Sequence, residues 1–453
     1  MGLKIAWGAV ALSFAACEPA RSPGGVRISI PSNATKFSLS NGLEVVLNED
    51  HRAPFVALNL RYHVGGKDDP VEHAGLAHLY EHLMFCGSAH VARDDFLPTL
   101  DRLGARAHNG TTTRDYTEYF ETVPANALDE ALWLEADRMQ TAVDHFDEAT
   151  LAREKQIVDN EEKLKVENSA LGNVSTFIAA ALYPPGHPYR HLPMGTPETL
   201  RGVTLEDLHA FHDRYYGADN ATLVLVGDFD SGVARRLIES YFGPAAPSKA
   251  PPPARRVAAV TASATKRIRV NAAVPYGAVR VTWPLPVPGQ PGFYESWAGL
   301  TLAGWTVDSR AVERKLAESV SASFAPGRLS TTGEIRAVLA PGASADAFVE
   351  LVSDVIHALS NATRLTYLPD LRSSVIGADV FLQEDLYARA SRTQFYDEAY
   401  GDPNHVMPEL RALDALESSR VIDAYGSLLA MDRALVTVVV ADPQAPLAGA
   451  EAP

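Results

Sequence analysis

Two histidines and a glutamate stand close together in the order His78-Leu-Tyr-Glu81-His82. On a helix, residues four apart project from one face about one turn from each other. His78 and His82 have that spacing, and Glu81 falls on the same side. Two imidazoles so placed can hold a zinc ion, and a carboxylate beside them can take a proton from the water that the ion activates. The order is the inverse of the commoner His-Glu-x-x-His. The alternative is a helix that merely carries two histidines and a glutamate at its polar edge. A catalytic zinc takes three protein ligands and a water, so the rest of the chain must supply a third.

The flanking residues are suited to making that helix. Leu76, Leu79, Leu83 and Phe85 give an apolar side at helical spacing, and Gly75 and Gly87 bound it. Upstream, Phe37 to Leu47 reads as two short strands around an Asn41-Gly42 turn, and Phe55 to Val64 as a third strand. Downstream, the Thr/Tyr-rich run from Asn109 to Val123 reads as strands. Ala127 to Thr141, with Leu128, Leu132, Trp133, Ala136 and Met139, reads as an amphipathic helix. A long charged helix is predicted from about Asp147 to Asn168. In it Glu154 and Glu161 are seven residues apart, so both carboxylates point the same way. Leu205 to Tyr216 is a further helix and Ala221 to Asp228 a buried strand.

The Pro-rich run from Gly243 to Arg256 is the clearest linker, and it would let the segments on either side splay apart. Beyond it the pattern returns. Phe211 to Asp228 and Ala424 to Asp442 both run helix end, polar turn, apolar strand, aspartate. Val279 to Trp283 parallels the strand before the histidine-bearing helix, and Tyr294 to Ala303 parallels that helix without its histidines. The expected fold is therefore α+β: two homologous α/β-roll domains, each a mostly antiparallel sheet flanked by helices. The first spans 36–243, a linker 244–262, and the second 263–445.

With 453 residues the chain is too long for one ordinary core. A formal net charge of −16 argues against nucleic acid as a partner, which would call for a basic patch. Cysteines are two, Cys17 and Cys86, too few for a disulfide framework. Residues 1–17 carry one lysine, a short apolar run and then small residues ending at Cys17, a pattern of export rather than of a membrane span. Phe14-Ala-Ala-Cys17 resembles a bacterial lipoprotein signal in which the cysteine is lipidated, although Phe14 stands where leucine is usual and cleavage after Ala16 is the alternative. Residues 18–35 then read as a tether. The expected location is the periplasm of a Gram-negative bacterium, with a membrane anchor at Cys17.

Several segments together resemble the pitrilysin/insulinase family of zinc peptidases, in the short form of mitochondrial processing peptidase and its bacterial relatives. They are His78-Leu-Tyr-Glu-His82, Tyr119-Phe-Glu-Thr-Val-Pro124, Glu135-Ala-Asp-Arg-Met139, Glu154-Lys-Gln-Ile-Val-Asp-Asn-Glu161, Gly186-His-Pro-Tyr189 and Asn220-Ala-Thr-Leu-Val-Leu-Val-Gly-Asp228. The resemblance implies a zinc endopeptidase in which His78, His82 and Glu161 are the metal ligands and Glu81 is the base. Glu162 is the neighbour that could be confused with Glu161, but it points about 100° away on a helix. Glu154 matches a further glutamate that would orient the ligands, its alternative being a carboxylate favoured near a helix N-terminus. A peptide substrate would lie as an added strand beside the segment near Asn109. His73, His90 and His108 are expected to be surface or packing residues. Cys86 as a fourth ligand would close the site, and the resemblance offers no cysteine there; a buried thiol is expected.

The second half departs from the family pattern. Some relatives carry there an arginine and, seven residues later, a tyrosine that hold the scissile carbonyl. In the matching stretch, Arg310 to Ser323, Val312 and Ser319 stand near those places and no tyrosine occurs. The resemblance therefore implies a heterodimer with a homologous subunit that lacks the zinc motif and supplies that pair. The alternative is a non-catalytic structural or binding subunit of such a heterodimer.

Overall fold

The computed structural model describes residues 33–249, 260 and 266–452. The leader, most of the tether and most of the Pro-rich linker lie outside the described residues. Two six-stranded sheets form the framework. The first contains β1 (Thr35–Ser38), β2 (Glu44–Glu49), β3 (Phe55–Tyr62), β4 (Ala107–Thr112), β5 (Thr117–Pro124) and β6 (Ala221–Gly227). The second contains β7 (Lys266–Ala272), β8 (Ala278–Leu285), β9 (Ala317–Ala325), β10 (Thr331–Leu339), β11 (Leu435–Ala441) and β12 (Ala450–Glu451).

The strand orders are β1-β2-β6-β3-β5-β4 and β12-β7-β11-β8-β10-β9. Five neighbouring strands repeat in the same sequence, and in each sheet a single pair is parallel, β2 with β6 and β7 with β11. The fold is α+β and built twice, as the internal repeat in the sequence requires. Gly75 and Gly292 both precede the helix that follows the third core strand, with φ of 99° and 88°. Left-handed torsions suit glycine because it has no Cβ. The helix after Gly292, Phe293–Glu313, has Glu295, Ala298 and Gly299 where its counterpart has His78, Glu81 and His82.

Alternation along β6 divides the N-terminal core. Leu223 and Leu225 face the motif helix (Leu76–Leu83) and helix Leu128–Thr141, with Leu79, Leu83 and Leu132. Val224 and Val226 face the other way and pack with Val46 and Ala57 against Ala390 of helix Leu386–Tyr400, which belongs to the second half of the chain. The exchange is reciprocal. Helix Val174–Leu182, from the first half, lays Val174, Ile178 and Leu182 on Val270, Ala272 and Val439 of the second sheet. Polar contacts reinforce the first of these seams. Arg61 pairs with Glu118 at 2.6 Å and Glu398 at 3.4 Å, and Gln394 Nε2 donates to the Thr222 carbonyl across 2.8 Å. The halves are thus interlocked, and the expectation that the linker lets them splay apart is corrected: each half needs a helix of the other to cover its sheet. No helix among the described residues is long and apolar enough to cross a membrane.

Candidate metal centre

The motif helix is short and almost wholly buried, His82 being its most accessible residue. Asp69 holds its start, accepting from the amides of Gly75 and Ala77 at 2.7 and 2.8 Å. Those first amides have no partner within the helix, and a carboxylate there also suits the helix dipole. The helix packs on β4 and on helix Glu148–Glu162. That second helix begins at Asp147, whose side chain accepts from the Thr150 amide, and runs on into a π-helical turn at Lys163–Glu167.

Packing these helices together brings three donor atoms into one place. His82 Nε2 lies 3.3 Å from His78 Nε2 and 3.2 Å from Glu161 Oε2. His78 Nε2 lies 3.7 Å from the same oxygen. The three are a group able to hold a metal ion. A tetrahedron with metal–ligand arms of about 2.0–2.1 Å has edges of about 3.3 Å, so the triangle has the size zinc asks for. Glu162, one residue on, is outside that group and lines a cleft together with Met194 and Leu200.

The electrostatics favour a cation. Burial, with the His82 charge added to it, pushes His78 down to about 4, so its ring is neutral with a lone pair to give. Burial also opposes charge on His82, but the carboxylates of Glu154 and Glu161 outweigh it and raise this ring to about 9. The contact with His82 holds Glu161 down to about 2, even against burial, with Lys165 helping. Glu154 stands 3.7 Å from His82 Nδ1 and is itself held by Arg153 at 3.0 Å. It lies outside the group of three donors.

Glu81 is buried beside the triangle. Burial raises its carboxyl to about 7, while a hydrogen bond from Thr112 Oγ1 to Oε2, 2.7 Å long, works the other way. Thr112 lies at the end of β4. Gly110, on the same strand, lets the helix come close: a Cβ there would stand 2.9 Å from both Glu81 Oε1 and the Phe85 ring. β4 is the last strand of its sheet and pairs only with β5 among the described residues. Asn109 sits in this strand, exposed.

Sequence reasoning did not find Thr112, Gly110 or Asp69. A threonine in a Thr-rich strand carries no signal of its own, and Asp69 acts through tertiary contact. The other histidines stand apart from the centre. His90 meets Asp137 at 2.6 Å, His108 meets Asp101 at 2.9 Å, and His73 Nδ1 faces the Thr199 carbonyl. Cys86 is buried beside Arg153 and outside the donor triangle; burial pushes its thiol up to about 12. In the second half, Val312 is exposed at the end of helix Phe293–Glu313 and Ser319 lies on β9.

Comparison with known proteins follows the two halves. Residues 44–184 match the family described as insulinase (peptidase family M16), and residues 202–365 match the peptidase M16 inactive domain. Zinc protease PqqE of Helicobacter pylori is 30% identical over 208 residues, 45% of this chain and 46% of that protein. Coenzyme PQQ synthesis protein F of Pseudomonas aeruginosa is 32% identical over 226 residues, 48% of this chain and 28% of that protein. The match thus spans about half the length of the first relative and less of the second. Among solved structures, a protease from Helicobacter pylori superposes with a TM-score of 0.80 at 19% identity, over 90% of this chain and 100% of that one. A chain of complex III2 from Candida albicans gives 0.76 at 15% identity, over 89% and 95%. These structural likenesses, at such low identity, speak to the fold. With both halves matched by domains of one family and the doubled fold in place, the chain belongs to the M16, or insulinase, family of peptidases.

Proposed function

We propose that the chain is a zinc-dependent endopeptidase subunit that cleaves peptides or unfolded segments. The observation that carries this reading is the meeting of His78 Nε2, His82 Nε2 and Glu161 Oε2 with the Glu81 carboxyl set beside them. A zinc ion bound there would supply Lewis-acid polarisation of a peptide carbonyl and of water. Glu81 takes a proton from the attacking water on its carboxylate and returns it to the nitrogen of the leaving amine. A carboxyl raised to about 7 by burial is suited to both halves of that task at neutral pH. Thr112 Oγ1 fixes one carboxylate oxygen, which leaves the other for the transfer. Substrate lies as an extended strand against the free edge of β4 near Asn109, where main-chain groups are open to pairing. The test is zinc content per purified chain together with hydrolysis of a quenched fluorescent peptide. A chain that takes up no zinc at neutral pH would refute the reading.

The proposal extends to assembly and location. A homologous subunit lacking the zinc motif would supply the arginine and tyrosine absent at Val312 and Ser319, and the apolar run ending at Cys17 would export and anchor the protein. Cys17→Ser should release it from the membrane fraction; wild-type protein wholly free of membrane would exclude the anchor and leave export standing. A second reading, a non-catalytic subunit, draws on the match of residues 202–365 to an inactive domain and on the likeness to a chain of a respiratory complex. Zinc bound in stoichiometric amount with no hydrolysis in any pairing would favour it.

A further inference from the structure

The turn Gly186 to Tyr189 comes from the first half but is fixed to the second. The His187 ring stacks on Tyr183 at 4.5 Å, and its Nδ1 accepts from the Tyr189 amide across 3.0 Å. Tyr183 in turn shares a 3.1 Å hydrogen bond with Thr332 of β10. From this platform the buried Tyr189 hydroxyl reaches Asp115, 2.5 and 2.6 Å from its two carboxylate oxygens, and accepts from the Leu329 amide across 3.1 Å. Asp115 also accepts from the Arg328 amide at 3.0 Å. Residues 328 and 329 lie between β9 and β10 of the second sheet. Asp115 lies in the turn between β4 and β5 of the first. The Tyr189 hydroxyl and the Arg328 amide together therefore join the second half of the chain to the tip of the β4–β5 hairpin.

That tip ends three residues after Thr112, which donates to Glu81. β4 is an outer strand, held along one side only, and outer strands are the easiest parts of a sheet to open. Other ties at the tip include main-chain bonds from Gly66 to Thr113 and from Lys67 to Arg114, both 2.9 Å, Lys67 Nζ to the Asp115 carbonyl at 2.7 Å, and the Arg114 guanidinium over the Tyr189 ring at 5.4 Å. A buried carboxylate demands its donors, and a bond to a charged group is about twice as strong as a neutral one. We propose that Tyr189 is a positioning residue: by holding Asp115 it lets the second half of the chain fix β4, and through Thr112 the carboxylate of Glu81. The second half carries no counterpart of the metal-binding residues, and this gives it a part in the site of the first. The last link rests on Glu81 being the base, as proposed above.

The experiment compares the full chain with Tyr189→Phe and Asp115→Ala. Amide hydrogen exchange is followed in peptides covering 107–113 and, as a control, 221–227, with zinc content and residual peptide hydrolysis measured alongside. Tyr189→Phe should raise exchange at 107–113 by about tenfold, the size of one lost charge-assisted hydrogen bond, and Asp115→Ala by at least as much, because the Arg328 amide also loses its acceptor. The double variant should add little, since both changes break the same contact. Exchange at 221–227 and zinc content should stay as in the wild type, and kcat should fall by about the same factor. Unchanged exchange at 107–113, or an equal rise at 221–227, would overturn the latch. A local rise with kcat unaltered would overturn its link to Glu81. The exchange comparison needs no turnover, so it decides the latch even if the wild-type chain cleaves nothing and the reading of the site fails.

Discussion

Thr112 Oγ1 donates to Glu81 Oε2 across 2.7 Å, so a residue at the end of an outer strand holds a carboxylate at the centre of a buried helix. Glu81 is not one of the three donors that converge, and it is the base in the proposed function. Glu81→Gln keeps the shape and an acceptor for Thr112 but removes the base. The variant should bind zinc as the wild type does and lose hydrolysis by about 10²–10⁴-fold. Metal analysis and peptide turnover on one preparation check both halves of the claim; undiminished turnover would show that Glu81 is not the base.

The other side of the same contact is Gly110. A methyl group there would press within 2.9 Å of Glu81 Oε1 and of the Phe85 ring, tighter than side chains tolerate. It does not occupy the left-handed region, so alanine strains no turn, and the damage should fall on Glu81 and the neighbouring Phe85 ring. Gly110→Ala should fold and take up zinc, yet lose activity by about 10²-fold, as displacements near 1 Å at a reacting group do. Turnover at the wild-type rate would mean that the strand gives way freely and does not position the base.

Much of this was legible in the chain. The spacing of His78 and His82 declared a shared face without reference to any other segment, and the stretch from Tyr294 to Ala303 could be matched to the motif helix. Glu161 was less legible. On charge and periodicity alone it is one acid among several in its helix, and family resemblance singled it out. The exchanged helices were not legible at all: an amphipathic pattern says that Val174 and Ile178 must be covered, but not by which sheet. Trp133 shows the limit of the pattern itself. It was counted with the apolar face of its helix, yet it is 38% exposed, one residue and about 100° round from the buried Leu132.

Beneath the site a second pair of carboxylates is arranged asymmetrically. Arg138, fully buried over the Tyr119 ring at 4.0 Å, is paired with Glu135. Burial, then the charge of Glu135, pushes the Glu121 carboxyl well above its ordinary range. Burial already disfavours charge on Glu121, so Glu121→Gln should change stability by less than about 1 kcal/mol. Glu135→Gln strands a buried guanidinium and should cost about 3–5 kcal/mol. Equal losses in denaturant unfolding would show that the two carboxylates share the charge.

The seam between the halves carries an acid-sensitive pair. Burial alone would raise Glu398, but the charge of Arg61, with His63 adding a hydrogen bond, holds it down to about 2 from an ordinary 4.5. A carboxyl depressed on folding contributes stability above its unfolded value and loses it as the pH falls through the folded one. The window here runs from about 4.5 to about 2. Unfolding temperatures of the wild type should exceed those of Glu398→Gln at pH 6, and the gap should close steadily on acidification through that window. A gap independent of pH would mean that Glu398 acts by packing alone.

The isolated chain should bind zinc and hydrolyse peptides feebly. The argument starts from what a tetrahedral intermediate requires. The proposed base and metal donors converge in the first half, but hydrolysis also develops negative charge on the carbonyl oxygen, and preorganised donors there are each worth about 10²–10³ in rate. The resemblance to the pitrilysin/insulinase family implies that an arginine and a tyrosine of the second half take that role; the places read as theirs here hold Val312, exposed at a helix end, and Ser319. Two copies of this chain would not repair the deficit, because neither carries the pair. A homologous chain that has the arginine and tyrosine but lacks His-x-x-Glu-His would, and such a chain needs no zinc of its own. Titrating it into the purified protein should raise kcat by about 10²-fold or more and saturate at one partner per chain, with Glu81→Gln abolishing the gain. Full turnover by the isolated chain, or no response to a partner of this description, would exclude the shared site.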